Sequence, residues 1–262
     1  MIARPLARLM ARGKPLVPER AWPLLLTLRS ARGSGPLVGL PAFRRVLVLA
    51  AHPDDESIGC AGTMALLARD RRAHVTVAFA TDGEATMGAA SAPEETGRRR
   101  AQEARHACRV LGVESTRFLG LPDGGLSSRT DELGSHLARL VRELEPEVVL
   151  LPWFLDGHPD HQALTPGLAR AGLPDDLQVW AYETWTPLPA NRIVDVSAVA
   201  DQRDAALAEH VLAAQAFDLT AMQGLSRWRS VHGLMGRGHA EAFLAGSLGD
   251  YLALAARVEA AA

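Results

Sequence analysis

Only two cysteines occur in 262 residues, and no apolar run approaches the roughly 20 residues that a membrane-spanning helix needs. Cys60 and Cys108 both fall within helical patterns, so they read as small buried hydrophobes. Nothing in that count suggests a secreted disulfide scaffold. An excess of one charge is also missing: the formal net charge is -2, which removes the global basic field expected of a nucleic-acid binder. No internal repeat occurs, no linker divides the chain, and the only biased tract is an alanine-rich C-terminal stretch. With 48% hydrophobic and 22% charged residues, the chain is long enough to bury a sizeable core as one α/β domain.

Short aliphatic runs alternate with helical periodicity. Strands are expected near 46–50, 74–80, 115–119 and 147–151, and helices near 58–70, 94–111 and 130–144. That alternation predicts parallel βαβ units, hence an α/β, Rossmann-like, mostly parallel sheet flanked by helices. Pro146 marks the approach to the fourth strand. Further on, a short helix to about 171, strands at 178–182 and near 192–196, and a long helix at about 199–216 are expected. The segment 224–239, with several glycines among Arg227, Trp228, Arg229, His232, Arg237 and His239, reads as a surface loop, with a mobile loop near the site entrance as the other reading.

The densest chemistry follows the first strand. His52-Pro53-Asp54-Asp55-Glu56 places one imidazole and three carboxylates directly after Val46–Ala50. The carboxyl end of a buried parallel strand is where an open α/β sheet forms its ligand crevice. His52 and Asp55, three apart across a strand-to-helix turn, can offer nitrogen and oxygen to a zinc-like ion, leaving Asp54 free. Acids at a helix start also simply complement its positive end, but that does not account for His52. A second strand, Val148–Pro152, delivers His158-Pro159-Asp160-His161. One histidine from this cluster completes a two-His, one-carboxylate set with a coordination position left open.

Together these residues resemble the PIG-L, or LmbE-like, zinc-dependent N-acetylglucosaminyl deacetylases. The likeness rests on Ala51–Glu56, on Thr81-Asp82-Gly83-Glu84 and on His158–His161, with weaker echoes in Arg100-x-x-Glu103, Leu121-Pro122-Asp123-Gly124 and Ala240-Glu241-Ala242-Phe243. It covers roughly residues 44 to 245. The resemblance implies an LmbE-like fold and hydrolysis of a linear amide on an N-acetylated sugar conjugate, by attack of metal-bound water. By position it implies that His52, Asp55 and His161 bind the metal and that Asp54 is the general base. It assigns a protonated His158 to the oxyanion, Asp160 to orienting a neighbouring histidine, and Arg100 and Asp123 to sugar or polyol hydroxyls. Zinc is the implied ion, and ferrous iron accepts the same ligands. The aglycone is left open, as is a homo-oligomer.

Two other classes share these features. The same ligand set occurs in non-haem iron oxygenases, although an oxygenase needs no adjacent free carboxylate such as Asp54. A non-catalytic sugar-binding protein is the other reading, and it leaves the complete set of expected site residues without a use.

Residues 1–42 form an extension of different character ahead of the deacetylase-like domain at 43–262. Arg4, Arg8 and Arg12 recur every four residues while Ile2, Leu6 and Leu9 share another stripe. The run Trp22–Leu28 is too short to span a bilayer, and no small-residue cleavage site follows it. The expected location is cytoplasmic, with peripheral contact between residues 1–40 and an anionic membrane as one use of the extension and packing on the domain or a partner as the other.

Overall fold

The computed structural model describes residues 37–69, 73–86, 91–113 and 115–260. Its centre is an eight-stranded sheet ordered β1-β7-β8-β6-β5-β2-β3-β4. The strands β2 (Arg45–Ala50), β3 (His74–Thr81), β4 (Ser115–Leu121), β5 (Val148–Pro152) and β6 (Gln178–Tyr182) pair in parallel with their neighbours. Antiparallel β8 (Ala240–Ser247) joins β6 to β7 (Arg192–Asp195), and β1 (Leu37–Val38) lies parallel to β7. The mostly parallel α/β sheet predicted from the sequence pattern is present. It also takes in Leu37–Val38, inside the stretch expected to be an extension.

β2 and β5 are continuous aliphatic runs because both of their faces are covered. Alternate side chains feed separate cores. Leu47, Leu49, Val149 and Leu151 pack with Leu133 and Leu137 of α4 (Thr130–Leu144) and Leu164 of α5 (Pro159–Arg170). Val46, Val48, Leu150 and Phe79 face Met64 of α2 (Ala61–Ala68) and Ala104 and Cys108 of α3 (Pro93–Val110). Both cysteines are fully buried in this second core. Truncating a side chain such as Leu47, which has no exposed surface, to alanine costs about 2–5 kcal/mol.

The expected helix at 58–70 is in fact two, α1 (Asp55–Gly59) and α2, which break at Cys60. Close packing explains the break. A Cβ on Gly59 would lie 2.1 Å from the Tyr182 ring. The Glu241 carboxylate accepts the Gly62 and Thr63 N–H groups at 2.7 and 2.8 Å, so α2 restarts on a side-chain acceptor from β8.

The long helix expected at 199–216 likewise divides into α6 (Ala200–Ala208) and α7 (Ala213–Ala216). Between them His210 turns inward and the Leu212 N–H donates to Glu103. The segment 224–239 is not the surface loop its glycines suggested. It contains the end of α8 (Thr220–Arg229) and the short α9 (Val231–Leu234), then leads to β8 and the closing α10 (Leu248–Glu259). α8 is held by Arg229, whose buried guanidinium grips Glu183 and the Leu188 carbonyl.

Candidate active site

β2 and β5 are adjacent in the sheet, so the segments leaving their carboxyl ends meet. His52 follows β2, and its N–H donates to the Asp55 carboxylate at the start of α1, 2.8 Å away. His161 lies in the first turns of α5, which His158 caps. Donor atoms of three residues approach one another there, Asp55 through both of its oxygens. His52 Nδ1 is 3.3 Å from His161 Nε2, His161 Nε2 is 3.0 Å from Asp55 Oδ1, and His52 Nδ1 is 3.7 Å from Asp55 Oδ2. Ligands bound at about 2.1 Å around a tetrahedral ion sit about 3.4 Å apart. The distances of 3.0, 3.3 and 3.7 Å lie near that value but involve both Asp55 oxygens; the groups that bring one atom each within 4.8 Å of one another are His52, His158 and His161, and His52, Asp123 and Asp160.

The outward-facing nitrogens are fixed by acids. His161 Nδ1 meets Asp156 Oδ1 at 2.7 Å and Thr184 Oγ1 at 2.9 Å. His52 Nε2 meets Asp123 Oδ1 at 3.0 Å and Asp160 Oδ2 at 3.3 Å. Such partners hold an imidazole ligand in one tautomer and orientation. Burial opposes charge on His161, but Asp55 and Asp156 more than offset it and raise its pKa to about 9. Burial likewise opposes charge on His52, and Asp123, Asp160 and Asp55 drive it well above the usual imidazole range. Burial works against ionising Asp55, yet the His161 charge holds that carboxyl well below its ordinary range. Four carboxylates thus surround two imidazoles, a balance that a divalent cation would complete.

Asp54 differs from its neighbours. It is buried, with φ 150° and ψ -26°, in the positive-φ region that costs a non-glycine residue about 1–3 kcal/mol. Its Oδ2 lies 2.9 Å from Arg100 Nη2, which also donates to the Pro53 carbonyl at 2.6 Å. Arg100 Nη1 reaches Thr86 Oγ1 and the Gly83 carbonyl. Gly83 has φ +68°, and a Cβ there would come within 2.3 Å of the guanidinium, so only glycine lets Arg100 in. Burial pushes the Asp54 pKa up, partly countered by Arg100.

His158 presents its ring 4.7 Å from that of His52 and 4.9 Å from that of His161. The Asp160 N–H donates to its Nδ1 at 3.2 Å, which puts the ring proton of the neutral form on Nε2. Burial, then the neighbouring imidazoles, lowers its pKa. With His52 and His161 charged, this setting favours a neutral ring that donates from Nε2.

All eight residues singled out from sequence come together: His52, Asp54, Asp55, Arg100, Asp123, His158, Asp160 and His161. Asp123 is already engaged with His52 and with the Ala85 N–H, and Glu84 accepts the Asp123 N–H. Asp160 also takes the Gly124 and Leu126 N–H groups.

Sequence reasoning missed four residues. Asp156, fully buried, gathers His161, Thr184 and the N–H groups of His158, Trp185 and Thr186. Its place two residues before His158 was the available signal. Thr184 follows β6 and had none. Glu56 read as a helix-start acid, but its Oε2 accepts the Asp54 N–H at 3.1 Å while Oε1 takes Ser57 Oγ at 2.8 Å and faces His210 Nε2 at 3.2 Å. No local pattern marks His210.

Histidines and carboxylates gathered at the carboxyl ends of an open α/β sheet stand where such folds place their ligand crevice. Residues 47–171, just under half of the chain, match the family model described as "PIG-L: GlcNAc-PI de-N-acetylase". The chain is 36% identical over 173 residues to 1D-myo-inositol 2-acetamido-2-deoxy-alpha-D-glucopyranoside deacetylase of Streptomyces scabiei, covering 55% of this chain and 54% of that one. A protein named the same, numbered 1, from Catenulispora acidiphila is 32% identical over 206 residues, 63% of each chain. The chain thus spans about half to just under two thirds of these relatives. Among solved structures, N,N'-diacetylchitobiose deacetylase from Pyrococcus horikoshii superposes with a TM-score of 0.67 at 22% identity over 79% of this chain and 85% of that one, a likeness of fold.

Proposed function

We propose that the protein is a metal-dependent hydrolase that removes the N-acetyl group from an N-acetylglucosamine-type sugar conjugate. The observation that carries this reading is the convergence of His52, Asp55 and His161 donors beside a buried carboxylate, Asp54, that is not among them. The names of the family and of its relatives supply the substrate class.

His52, Asp55 and His161 would hold the ion, zinc or ferrous iron. When bound, such an ion supplies Lewis acidity, which lowers the pKa of water and draws charge from an acyl oxygen. Asp54 then serves as the general base. Its burial raises its proton affinity toward the useful range, while Arg100 keeps the acid ionised before it accepts the proton of the attacking water. The same carboxyl can pass that proton to the departing amine. His158, its tautomer set by the Asp160 N–H, donates from Nε2 to the developing oxyanion, where a preorganised donor is most effective. Asp160 and Asp123 orient His52, and Asp156 orients His161. Arg100 and Asp123 lie on the side where sugar hydroxyls would be received.

The test is acetate release from a panel of N-acetylglucosamine conjugates by zinc- or iron-loaded protein. Release that disappears on chelation and returns with metal is expected. A full complement of metal with no acetate from any N-acetyl sugar would exclude the activity. Aerobic substrate oxidation in its place would move the site to the oxygenase class.

A further inference from the structure

The candidate crevice has two unlike walls. In the strand order β6-β5-β2-β3-β4, the ion-binding donors rise from the ends of β2 and β5. On the β3 and β4 side stand polar groups: Gly83, Glu84 and Arg100 around the β3 end, and Asp123 beyond β4. On the β6 side the segment after Tyr182 carries Trp185, which is 46% exposed.

Trp185 is firmly rooted next to the chemistry. Its N–H donates to Asp156 Oδ2 at 2.9 Å, and Asp156 in turn holds His161. A Cβ built on Gly157, the residue before His158, would lie 3.8 Å from the Trp185 Cβ. The indole packs on Phe217, ring centroids 4.7 Å apart and tilted by 57°. Phe217 belongs to a small apolar cluster with Ile58 of α1, three residues beyond Asp55. The pair therefore bridges the strand-end loop of β6 and the helix that carries Asp55. The side chain of this exposed, backbone-anchored indole, tilted against a half-buried phenyl beside a polar cluster, is not needed for any hydrogen bond described above.

We infer that Trp185 and Phe217 form an aglycone subsite that selects an alkyl or aryl group on the amino sugar. This inference rests on the deacetylase reading. With the acetamide at the His52, Asp55 and His161 cluster and hydroxyls turned toward Arg100 and Asp123, the substituent on the sugar leaves toward the β6 side, onto the aromatic pair. Small polar substituents such as a polyol or a dicarboxylic acid find a single hydrogen-bonding group in these two rings, the indole Nε1–H. An apolar chain or aromatic ring is removed from water there, each covered methylene being worth roughly fourfold in affinity. Stacking of an aryl group on the indole adds to this.

The experiment compares methyl, octyl and phenyl N-acetylglucosaminides with the full-length protein. Binding is measured by titration calorimetry on metal-loaded Asp54→Asn, and kcat/KM on the metal-loaded parent. Octyl and phenyl glycosides should bind at least about tenfold more tightly than the methyl glycoside, since two or three covered methylenes suffice for that ratio. Adding Trp185→Ala should shrink the ratio to within about threefold, with Phe217→Ala acting in the same direction. The same ratio should shrink in kcat/KM for the single Trp185 variant.

An undiminished octyl preference in both variants overturns the inference. So does an equal loss for methyl and octyl glycosides, which would place the aromatics under the sugar ring or in the fold. Trp185→Leu, which keeps an apolar body, serves if thermal unfolding shows that Trp185→Ala does not fold. Binding that follows the predicted ratio without acetate release in the parent would count against the deacetylase reading alone. Acetate release without an apolar preference would count against the subsite alone.

Discussion

In the proposed site His161 would set a proton in competition with a metal ion. Without metal, its pKa of about 9 comes from the Asp55 and Asp156 carboxylates overcoming burial. That is above the unperturbed imidazole value of about 6.5. A group raised on folding contributes stability that is complete below its unfolded pKa and is lost as pH rises through the folded one. Metal-free protein should therefore lose this contribution between about pH 6.5 and 9. A ligand must be neutral to bind, so metal uptake at pH 7 should release protons and affinity should climb toward pH 9. Calorimetry in buffers of different ionisation enthalpy measures that release, and its absence at pH 7 would remove His161 from the ligand set. Asp54 gives a complementary prediction. Asp54→Asn should retain the metal and lose about 10²–10⁴ in rate, the usual contribution of a general base. In the parent, the acidic limb of kcat/KM should lie above the ordinary carboxylate value because burial raises this pKa. Both residues were legible, since each is written into a dense motif at the end of an aliphatic run.

Elements were legible where one periodicity ruled and obscure where side chains from distant segments decided. β2 and β5 stand out because burial on both faces demands uninterrupted Val and Leu. β8 gives no such signal. Ala240–Ser247 is rich in small residues, and its strand state comes from antiparallel pairing with β6 and β7. α1 is the most consequential case, because it starts from a strained Asp54 whose N–H is held by Glu56. Glu56 is itself fixed by Ser57 and by His210, which lies 153 residues beyond Ser57 in the chain. That long reach is why no local reading found His210. The pair is buried on both sides, so removing one partner leaves an uncompensated polar group and costs about 3–5 kcal/mol. His210→Ala should lower the thermal midpoint and reduce kcat by about 10- to 100-fold, as loss of an outer supporting contact does. KM and metal content should change little, because His210 touches Glu56 and Ser57 rather than the ion-binding donors. His210→Gln, which keeps a donor, should recover part of kcat. Equal loss of kcat and metal in both variants would make the role one of general folding.

Across the whole molecule, the sheet order brings the site together from segments far apart in sequence, while everything it uses lies at or after β2. The basic pattern at residues 1–36 lies outside the described residues, and among those described no helix is long and apolar enough to cross a membrane. Arg4, Arg8, Arg12, Lys14 and Arg20 face only Glu19 nearby, although the chain as a whole is slightly acidic. Near an anionic bilayer each such charge is worth about 1 kcal/mol and is screened by salt. We propose that this segment gives the protein salt-sensitive affinity for anionic vesicles. Because Leu37–Val38 pairs with Ile193–Val194, a deletion that tests this must stop at residue 36 to leave the sheet intact. Such a truncation should lose vesicle binding, measured by co-sedimentation at low and high salt. Its turnover of a soluble N-acetyl sugar should stay near that of the full chain, since His52 through His161 are all retained. A lipid-linked substrate presented in vesicles should instead lose turnover selectively. Equal vesicle binding by both forms would assign the contact to the sheet domain. A truncated chain that fails to fold would make residues 1–36 part of the domain's own packing.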